Sequence, residues 1–300
     1  MTTRRMILAF AAALPLFAAG AVRAQDAVSL RLNWYLGGLH VPFYYGVDKG
    51  FFKAEGINLT INEGRGSGNT VQVVAAGSDT FGMADSSSVI SLIAKGGEIK
   101  SVMTVLSSTG FSVVSLASSG IKTPKDLEGK SLAVSPGDPL RQLFEALAAH
   151  HKLDLSKISF VQVDPAAKVV TVLEKRADAL LGGADDQYFL IKYRGQEPAA
   201  LRFADNGANI VGMTIVATND TIKNKPDMVR RFVRASVKSW EEAKKNPDAA
   251  VDSAMKAKAD LNRQSTKDQM LVDFELMDSP NVKGPVSYTH LAGDSQMTLP

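Results

Sequence analysis

The sequence predicts an α/β protein with two lobes and a ligand cleft between them. Short apolar segments with the pattern of strands alternate with longer segments that have the pattern of helices, over residues 28–193. Repeated βα alternation is typical of mainly parallel sheets covered by helices. A second series of such units begins at "KTPKDLEGKSLAVS", and the apolar segment "ANIVGMTIVATND" follows it. We therefore expect the chain to cross to a second lobe and to return.

Each element of the two series has its own pattern. The first strand, "VSLRLNW", alternates apolar and polar residues. The first series continues with an aromatic helix, the strand "INLTI", the turn "GRGSGN", the helix "TVQVVAAG", the strand "TFGMAD", the helix "SSSVISLIAKGG" and the strands "IKSVMTVLS" and "GFSVVSLASSGI". The second series comprises the strand "LAV", a helix over 139–150, the strand "ISFVQVD", a helix over 166–176, the strand "ALLGG" and a helix over 186–193, before three polar helical segments over 225–273.

The aromatic segment "NWYLGGLHVPFYYGVDKGFF", residues 33–52, holds seven rings in twenty residues. Pro42 suits the first turn of a helix, where its missing N–H costs no hydrogen bond. The spacing predicts that five side chains share one stripe of this helix: His40, Phe43, Tyr44, Val47 and Phe51.

Residues 1–24 have the pattern of a bacterial signal peptide. Arg4 and Arg5 precede an apolar run, and a small-residue cleavage site follows, so we expect cleavage after Ala24. A membrane anchor is the alternative, but the run is Ala-rich and short for a membrane span. Ala21 stands where a lipoprotein signal would carry the lipidated cysteine, so the sequence predicts a protein free in the periplasm.

Composition excludes several classes of function. Removal of Arg4, Arg5 and Arg23 leaves 31 of the 34 basic residues against 31 acidic ones, so the charge gives no reason to expect a nucleic-acid partner. The chain has no cysteine, which rules out disulfides, thiolate metal sites and cysteine catalysis. With His40 as the one histidine placed for function, we expect no catalytic residues, no metal site and no cofactor.

Seven pieces of the chain, in order and correctly spaced, resemble the periplasmic solute-binding proteins that serve importers of nitrate, sulfonates and taurine. The same pieces resemble the related pyrimidine-precursor binders and the thiamine pyrimidine synthases. The pieces are Asn33-Trp34, His40, Pro42, "DKGFF", Gly56, "AAGSDTFGMAD" and "IKTPKDLEGKSLAV".

This resemblance implies a two-lobe type II periplasmic binding protein fold. Lobe one would comprise residues 25–119 plus 209–285, and lobe two residues 120–208. The rings that follow the first strand would form one wall of the cleft, with Trp34 as the stacking face. We expect the two connections near residues 115–120 and 206–211 to act as a hinge.

Ligands of such folds bind where strands lead into helices. The candidate ligand-binding residues, from these corners and from the resemblance, are Asn33, Trp34, Tyr35, His40, Ser67, Asp85, Ser86, Ser87, Ser135, Gly137, Asp185 and Asp186. Simpler interpretations stay open. Ser86 or Ser87 can cap the helix that it opens, and a tryptophan at a strand end can belong to the core.

The resemblance implies the substrate-binding component of an ABC importer, a monomer whose partners are a small solute and an inner-membrane permease. The alternative is an enzyme like the thiamine pyrimidine synthases. Those enzymes carry a lysine and a histidine where this chain has Ala84 and Ser88, and they carry a cysteine-rich iron motif that this chain lacks.

Charge at the corners favours a heteroaromatic solute, such as a pyrimidine vitamin precursor, over sulfonate, taurine or nitrate. Four carboxylates, those of Asp85, Asp138, Asp185 and Asp186, face one nearby base, Arg65. A carboxylate repels an anion in a desolvated cleft but accepts a hydrogen bond from an amine or a ring N–H.

The segment "VSYTHL", residues 286–291, matches the translation of a common sequencing-transposon end and departs from the family pattern. We therefore expect residues 286–300 to be a non-native tail.

Deletion of residues 286–300 should leave the thermal unfolding midpoint unchanged, because a non-native tail has no packing partner in the fold. Calorimetry of the full and shortened chains checks this. A midpoint several degrees lower for the shortened chain would show that the tail is native.

Overall fold

The computed structural model describes residues 25–136 and 138–278, which form two five-stranded sheets flanked by helices. The expected signal peptide, the expected tail and the candidate residue Gly137 lie outside the described residues. Within the described ranges, every helix is too short or too polar to cross a membrane.

The strands of the two sheets are β1 Asp26–Arg31, β2 Ile57–Asn62, β3 Phe81–Asp85, β4 Ile99–Thr104, β5 Phe111–Leu116, β6 Ser131–Val134, β7 Ser159–Gln162, β8 Ala179–Gly183, β9 Pro198–Arg202 and β10 Met213–Thr218. The α-helices are α1 Val41–Asp48, α2 Phe51–Ala54, α3 Ser67–Ala75, α4 Ser86–Ala94, α5 Leu140–His150, α6 Lys168–Leu173, α7 Gln187–Lys192, α8 Asn219–Asn224, α9 Pro226–Lys245, α10 Pro247–Ala257 and α11 Arg263–Met277.

Each sheet combines parallel strands with one antiparallel strand that follows a crossing of the chain. The first sheet has the order β2-β1-β3-β10-β4, and β10 is antiparallel to both of its neighbours. The second sheet has the order β7-β6-β8-β5-β9, and β5 is antiparallel to both of its neighbours. We refer to the elements around the first sheet, with α8–α11, as lobe one, and to those around the second sheet as lobe two.

The predicted lobe boundary after residue 119 is wrong. Strand β5 hydrogen-bonds to β8 and β9, so it belongs to the second sheet and the chain has already crossed before Phe111. The hinge expected near residues 115–120 is therefore misplaced by several residues. The alternating pattern of "GFSVVSLASSGI" identifies a strand but carries no information on which sheet the strand joins. The return crossing, between β9 and β10, spans the predicted residues 206–211.

The rings of α1 and α2 in the aromatic segment pack into the core of lobe one rather than forming a wall of the cleft. Pro42 lies in the first turn of α1, as predicted. Phe43 is fully buried edge-to-face against Trp240 of α9, with ring centroids 6.1 Å apart, and Phe52 packs against Phe232 of the same helix. Val47, which the spacing placed on the same stripe, is exposed. Helix α9 supplies the apolar partner surface, which local periodicity cannot identify.

Helix α11 closes lobe one over the short 3-10 turn Gly38–His40 that precedes α1. A Cβ atom at Gly38 would lie 2.3 Å from the backbone nitrogen of Met270 in this helix. Only glycine therefore permits this approach of the two backbones.

We expect Gly38→Ala to lower the thermal unfolding midpoint by several degrees, because its methyl group would displace the α11 backbone from the turn. The matched control is Gly37→Ala, whose Cβ would have the side-chain oxygen of Gln269 as its nearest neighbour, at 3.0 Å, and no backbone atom closer than 4.0 Å. Equal midpoints for the two variants would contradict the close packing described here.

Candidate ligand-binding site

One large cavity, of about 650 Å³, lies between the two lobes. Its walls include the segments that follow β1, β2 and β3 in lobe one and those that follow β6 and β8 in lobe two, with a contribution from α11. Ten of the twelve candidate residues line it: Asn33, Trp34, Tyr35, His40, Ser67, Asp85, Ser87, Ser135, Asp185 and Asp186. Contact of these residues with a ligand stays a prediction.

Trp34 and Tyr35 form the aromatic part of this cavity. Both are half-buried, and their rings meet edge-to-face with centroids 5.6 Å apart. The backbone behind them is held by hydrogen bonds from Gly64 N–H to the Trp34 carbonyl, 3.0 Å, and from Gly66 N–H to the Asn33 carbonyl, 2.8 Å. Both side chains also line a second cavity of about 250 Å³, so the Trp34 ring stands between the two spaces.

His40 is buried and positions Asn33. Its Nδ1 accepts a hydrogen bond from the Gly37 N–H at 3.1 Å, so the ring proton lies on Nε2, which donates to Asn33 Oδ1 at 2.8 Å. Burial lowers the pKa of His40 to about 3, although the negative charge of Glu63 opposes this shift. The ring is therefore a neutral orienting group.

Asp85 caps helix α4 with its carboxylate. Its Oδ1 accepts from the Ser88 N–H at 2.9 Å and from the Ser87 hydroxyl, and its Oδ2 accepts from the Ser88 hydroxyl at 2.9 Å. The Ser67 hydroxyl accepts from the Asp85 N–H at 3.1 Å and so ties α3 to the same corner. Asp85 is buried, and most of its acceptor capacity is used inside the protein.

Ser86, a candidate because of its sequence position, faces the return crossing rather than the cavity. Its hydroxyl donates to the carbonyl of Val211, and its N–H donates to the carbonyl of Gly212 at 3.1 Å. The return crossing between the lobes occupies the side of the corner that Ser86 faces, and this residue does not line the cavity.

In lobe two, the sequence missed the buried cation Lys168. Its ammonium group donates to the carboxylate of Asp138 and to the Leu181 carbonyl, the latter at 2.9 Å. It also lies 5.8 Å from the centroid of the Trp34 ring and so contacts lobe one across the cavity. The helical pattern of α6 gave no sign that this lysine is buried, because lysines on helices are mostly exposed.

Asp185 and Asp186 precede α7 at the cavity wall and are half-buried. Burial and the charge of Asp185 raise the pKa of Asp186 to about 7, although Lys168 opposes this shift. Burial also raises the pKa of Asp185. The hydroxyl of Ser135, on the same wall, is buried without a hydrogen-bond partner among the described residues. These groups offer both acceptors and donors to a polar solute.

Two glutamines were also missed. Gln187 accepts from the Gly183 N–H at 2.6 Å, and Gln269 of α11 accepts from the Gly38 N–H at 2.8 Å; both line the cavity. Gln269 lies more than 200 residues after the first strand and reaches the cavity because α11 packs against lobe one. No local sequence signal could therefore identify it.

We expect the His40 ring to remain uncharged at pH 5, where an ordinary histidine is protonated. Nitrogen NMR of the imidazole, assigned with His40→Asn, measures this. Because the folded state excludes a proton that the unfolded chain binds, this group stabilises the fold above about pH 6.5 and the stabilisation declines as the pH falls from there toward 3. A charged ring at pH 5.5 in the folded protein would refute the assignment.

Comparison with solved structures confirms the predicted fold. The alkanesulfonate-binding protein SsuA from Xanthomonas axonopodis pv. citri, bound to MOPS, superposes with a TM-score of 0.66 and is 14% identical, over 83% of this chain and 84% of that one. This likeness concerns the two-lobe periplasmic binding protein fold and not the ligand.

Comparison of sequences identifies the family. The chain is 24% identical to a formylaminopyrimidine-binding protein of Halalkalibacterium halodurans over 86% of its own length and 80% of that protein's. It is also 24% identical to a 4-amino-5-hydroxymethyl-2-methylpyrimidine phosphate synthase of Legionella pneumophila subsp. pneumophila, over 79% and 75% of the two lengths. The family model described as NMT1/THI5 like matches residues 38–250. The chain therefore belongs to the NMT1/THI5-like family, as its motifs indicated.

Proposed function

We propose that this protein is the periplasmic substrate-binding component of an ABC importer and that its solute is a small heteroaromatic compound with amine or ring N–H donors. One observation carries the proposal. The cavity between the lobes combines the faces of Trp34 and Tyr35 with the carboxyl groups of Asp185 and Asp186. Flat rings stack on aromatic faces, and carboxylates accept hydrogen bonds from amines.

The charges around the cavity support a neutral or cationic solute. Of the cations that line it, Lys168 is buried and paired with Asp138, while Arg141 is held by Glu145 and by the ring of Phe160. The two other cations that line the cavity, Arg65 and Lys95, are exposed. Recognition of a simple anion requires buried donors that converge on its charge.

Only two of the four acidic side chains that the sequence placed at the corners are available to a solute. Asp85 is used as a helix cap and Asp138 is neutralised by Lys168, so two of the four carboxylates do not face the solute freely. Asp185 and Asp186 carry the argument alone. The name of the Halalkalibacterium halodurans relative, a formylaminopyrimidine-binding protein, agrees with a pyrimidine-like solute.

The alternative within the same fold is a sulfonate-, taurine- or nitrate-binding protein. The alkanesulfonate-binding neighbour shares the fold at 14% identity, which carries no information on the ligand of this chain. The buried ion pair of Lys168 would have to rearrange to serve an anion.

The alternative from another class is an enzyme that makes a pyrimidine, as the name of the Legionella relative states for that protein. The expected lysine and histidine positions hold Ala84 and Ser88 here. The Ala84 side chain is a methyl group buried in β3, and the Ser88 hydroxyl donates to Asp85. Neither side chain can attach a cofactor or supply a ring, so we favour the binding function.

We further propose that the protein is exported to the periplasm, is a monomer and delivers its solute to an inner-membrane permease. The predicted signal peptide supports export, and the fold is that of periplasmic binding proteins. A ligand that touches both lobes would stabilise their closed arrangement, which is the state that such a component presents for delivery.

We expect calorimetric titration to show binding of an aminopyrimidine, and Trp34→Ala to weaken it at least roughly tenfold through loss of stacking and burial. Trp34→Phe, which keeps a ring, is the matched control and should recover most of the affinity. Taurine and nitrate serve as competing solutes. Micromolar binding of either anion that survives Trp34→Ala would overturn the proposed solute class.

A further inference from the structure

Helix α11 belongs to lobe one but also touches lobe two. It packs against α7. Tyr193 follows directly after α7, and its hydroxyl donates to the carboxylate of Asp268 at 2.6 Å. This contact lies beside the smaller cavity, which residues of both lobes line. The arrangement of α11 on α7 therefore depends on how the two lobes are closed.

Asp273, one and a half turns farther along α11, is fully buried. Neither of its carboxyl oxygens has a hydrogen-bond donor among the described residues. The carboxyl of Asp185 in lobe two lies within hydrogen-bonding reach of the Asp273 carboxyl. Two carboxyl groups can form this hydrogen bond only if one of them carries a proton.

Asp185 has little freedom to turn away from Asp273. A Cβ atom at Gly110 would lie 2.0 Å from Asp185 Oδ1, and one at Gly183 would lie 2.3 Å from the same oxygen. Two glycines, one at the first crossing and one at the end of β8, thus form a close-fitting seat for this carboxyl. The seat holds the Asp185 carboxyl between the cavity and Asp273.

The other charges around the pair do not neutralise it. Arg202 of β9 acts on Asp185, but its Nε atom is already ion-paired with Asp205 Oδ2 at 3.8 Å. Asp186 adds a third acidic group, and Lys168, which acts on Asp186, is already paired with Asp138. In the described part of the chain, no group of three or more His, Cys, Asp or Glu side chains has the arrangement of a metal site.

The remaining elements packed on α11 bring no counter-charge to Asp273. The turn before α1 presents His40, which is neutral at physiological pH because burial lowers its pKa to about 3. Helix α10 directs Asp248 and Asp252 to surface ion pairs with Arg263. Asp268 of α11 itself is engaged with Tyr193.

We propose that Asp273 of lobe one and Asp185 of lobe two share a single proton across the closed cleft, so that loss of this proton at higher pH loosens the contact between the lobes. Asp273 is then a positioning residue that acts through Asp185, the carboxyl that lines the cavity. The inference does not depend on which solute binds, because the pair forms between protein groups.

The direction of the pH effect follows from burial. Burial raises the pKa of Asp185, and burial with the charges of Asp185 and Asp186 raises that of Asp273 well above its ordinary value. The closed fold therefore binds more protons than the open or unfolded chain. The contribution of this pair to stability is therefore fully present below the ordinary aspartate pKa and is lost as the pH rises through the raised pKa values of the folded state.

The test compares the ligand-free wild type with Asp273→Asn, whose amide donates to the Asp185 carboxylate at any pH. Thermal unfolding midpoints and radii of gyration from small-angle scattering are measured between pH 5.5 and 8.5. For the wild type we expect the midpoint to fall by at least about 3 °C and the radius to increase over this range. In Asp273→Asn both changes should be reduced by at least half, the remainder coming from Asp186.

Asp268→Asn is the matched control, since it lies on the same helix and on the same lobe contact but outside the carboxyl pair, and it should keep the wild-type pH dependence. A wild-type slope in Asp273→Asn, or a midpoint lowered equally at every pH, would overturn the proposal. If Asp273→Asn does not fold, Asp185→Asn provides the same comparison. Carbon NMR of the wild-type carboxyl groups is an independent measurement, and ionisation of both groups by pH 5 would also overturn it.

Discussion

The two crossings of the chain are the constraint on which the rest of the structure depends. Each lobe is completed by a strand that arrives from the other lobe, β5 in the second sheet and β10 in the first. The crossings are also joined to each other, since the Val105 N–H donates to the Met213 carbonyl at 2.8 Å and the Gly212 N–H donates to the Leu106 carbonyl at 3.1 Å. The strand-to-helix corners of the two sheets therefore face one another across the larger cavity.

The polar groups of this cavity form a small number of interlocking pairs. Asp85 caps α4, His40 orients Asn33, and Lys168 is held by Asp138 beside the ring of Trp34. Buried polar groups of this kind are costly unless each finds a partner, so the pairing specifies the shape of the site. The groups left with spare capacity, Ser135, Asp185 and Asp186, are the ones to which a solute can contribute bonds.

Helix α11 makes two polar contacts of opposite character. Helix α11 brings Gln269 to the turn at Gly38 and, in the same helix, brings Asp273 beside Asp185. The first contact completes the lobe, whereas the second brings together two acidic groups that a shared proton makes compatible. Closure of the cleft and the ionisation of its wall are thus linked through one helix.

The sequence by itself determined the α/β class, the alternation of elements and most of the corner residues, because strand and helix periodicity and the position of a residue after a strand are local properties. It also indicated the family through spaced motifs. Only the tertiary structure decided that β5 joins the second sheet, that the rings of α1 and α2 pack on α9 rather than on a solute, and that Ser86 faces the return crossing. The same holds for Lys168, Gln269 and Asp273, which lie on helices whose local pattern is compatible with exposure. Their burial and their charge state depend on partners far away in the chain, and a local pattern contains no information on such partners.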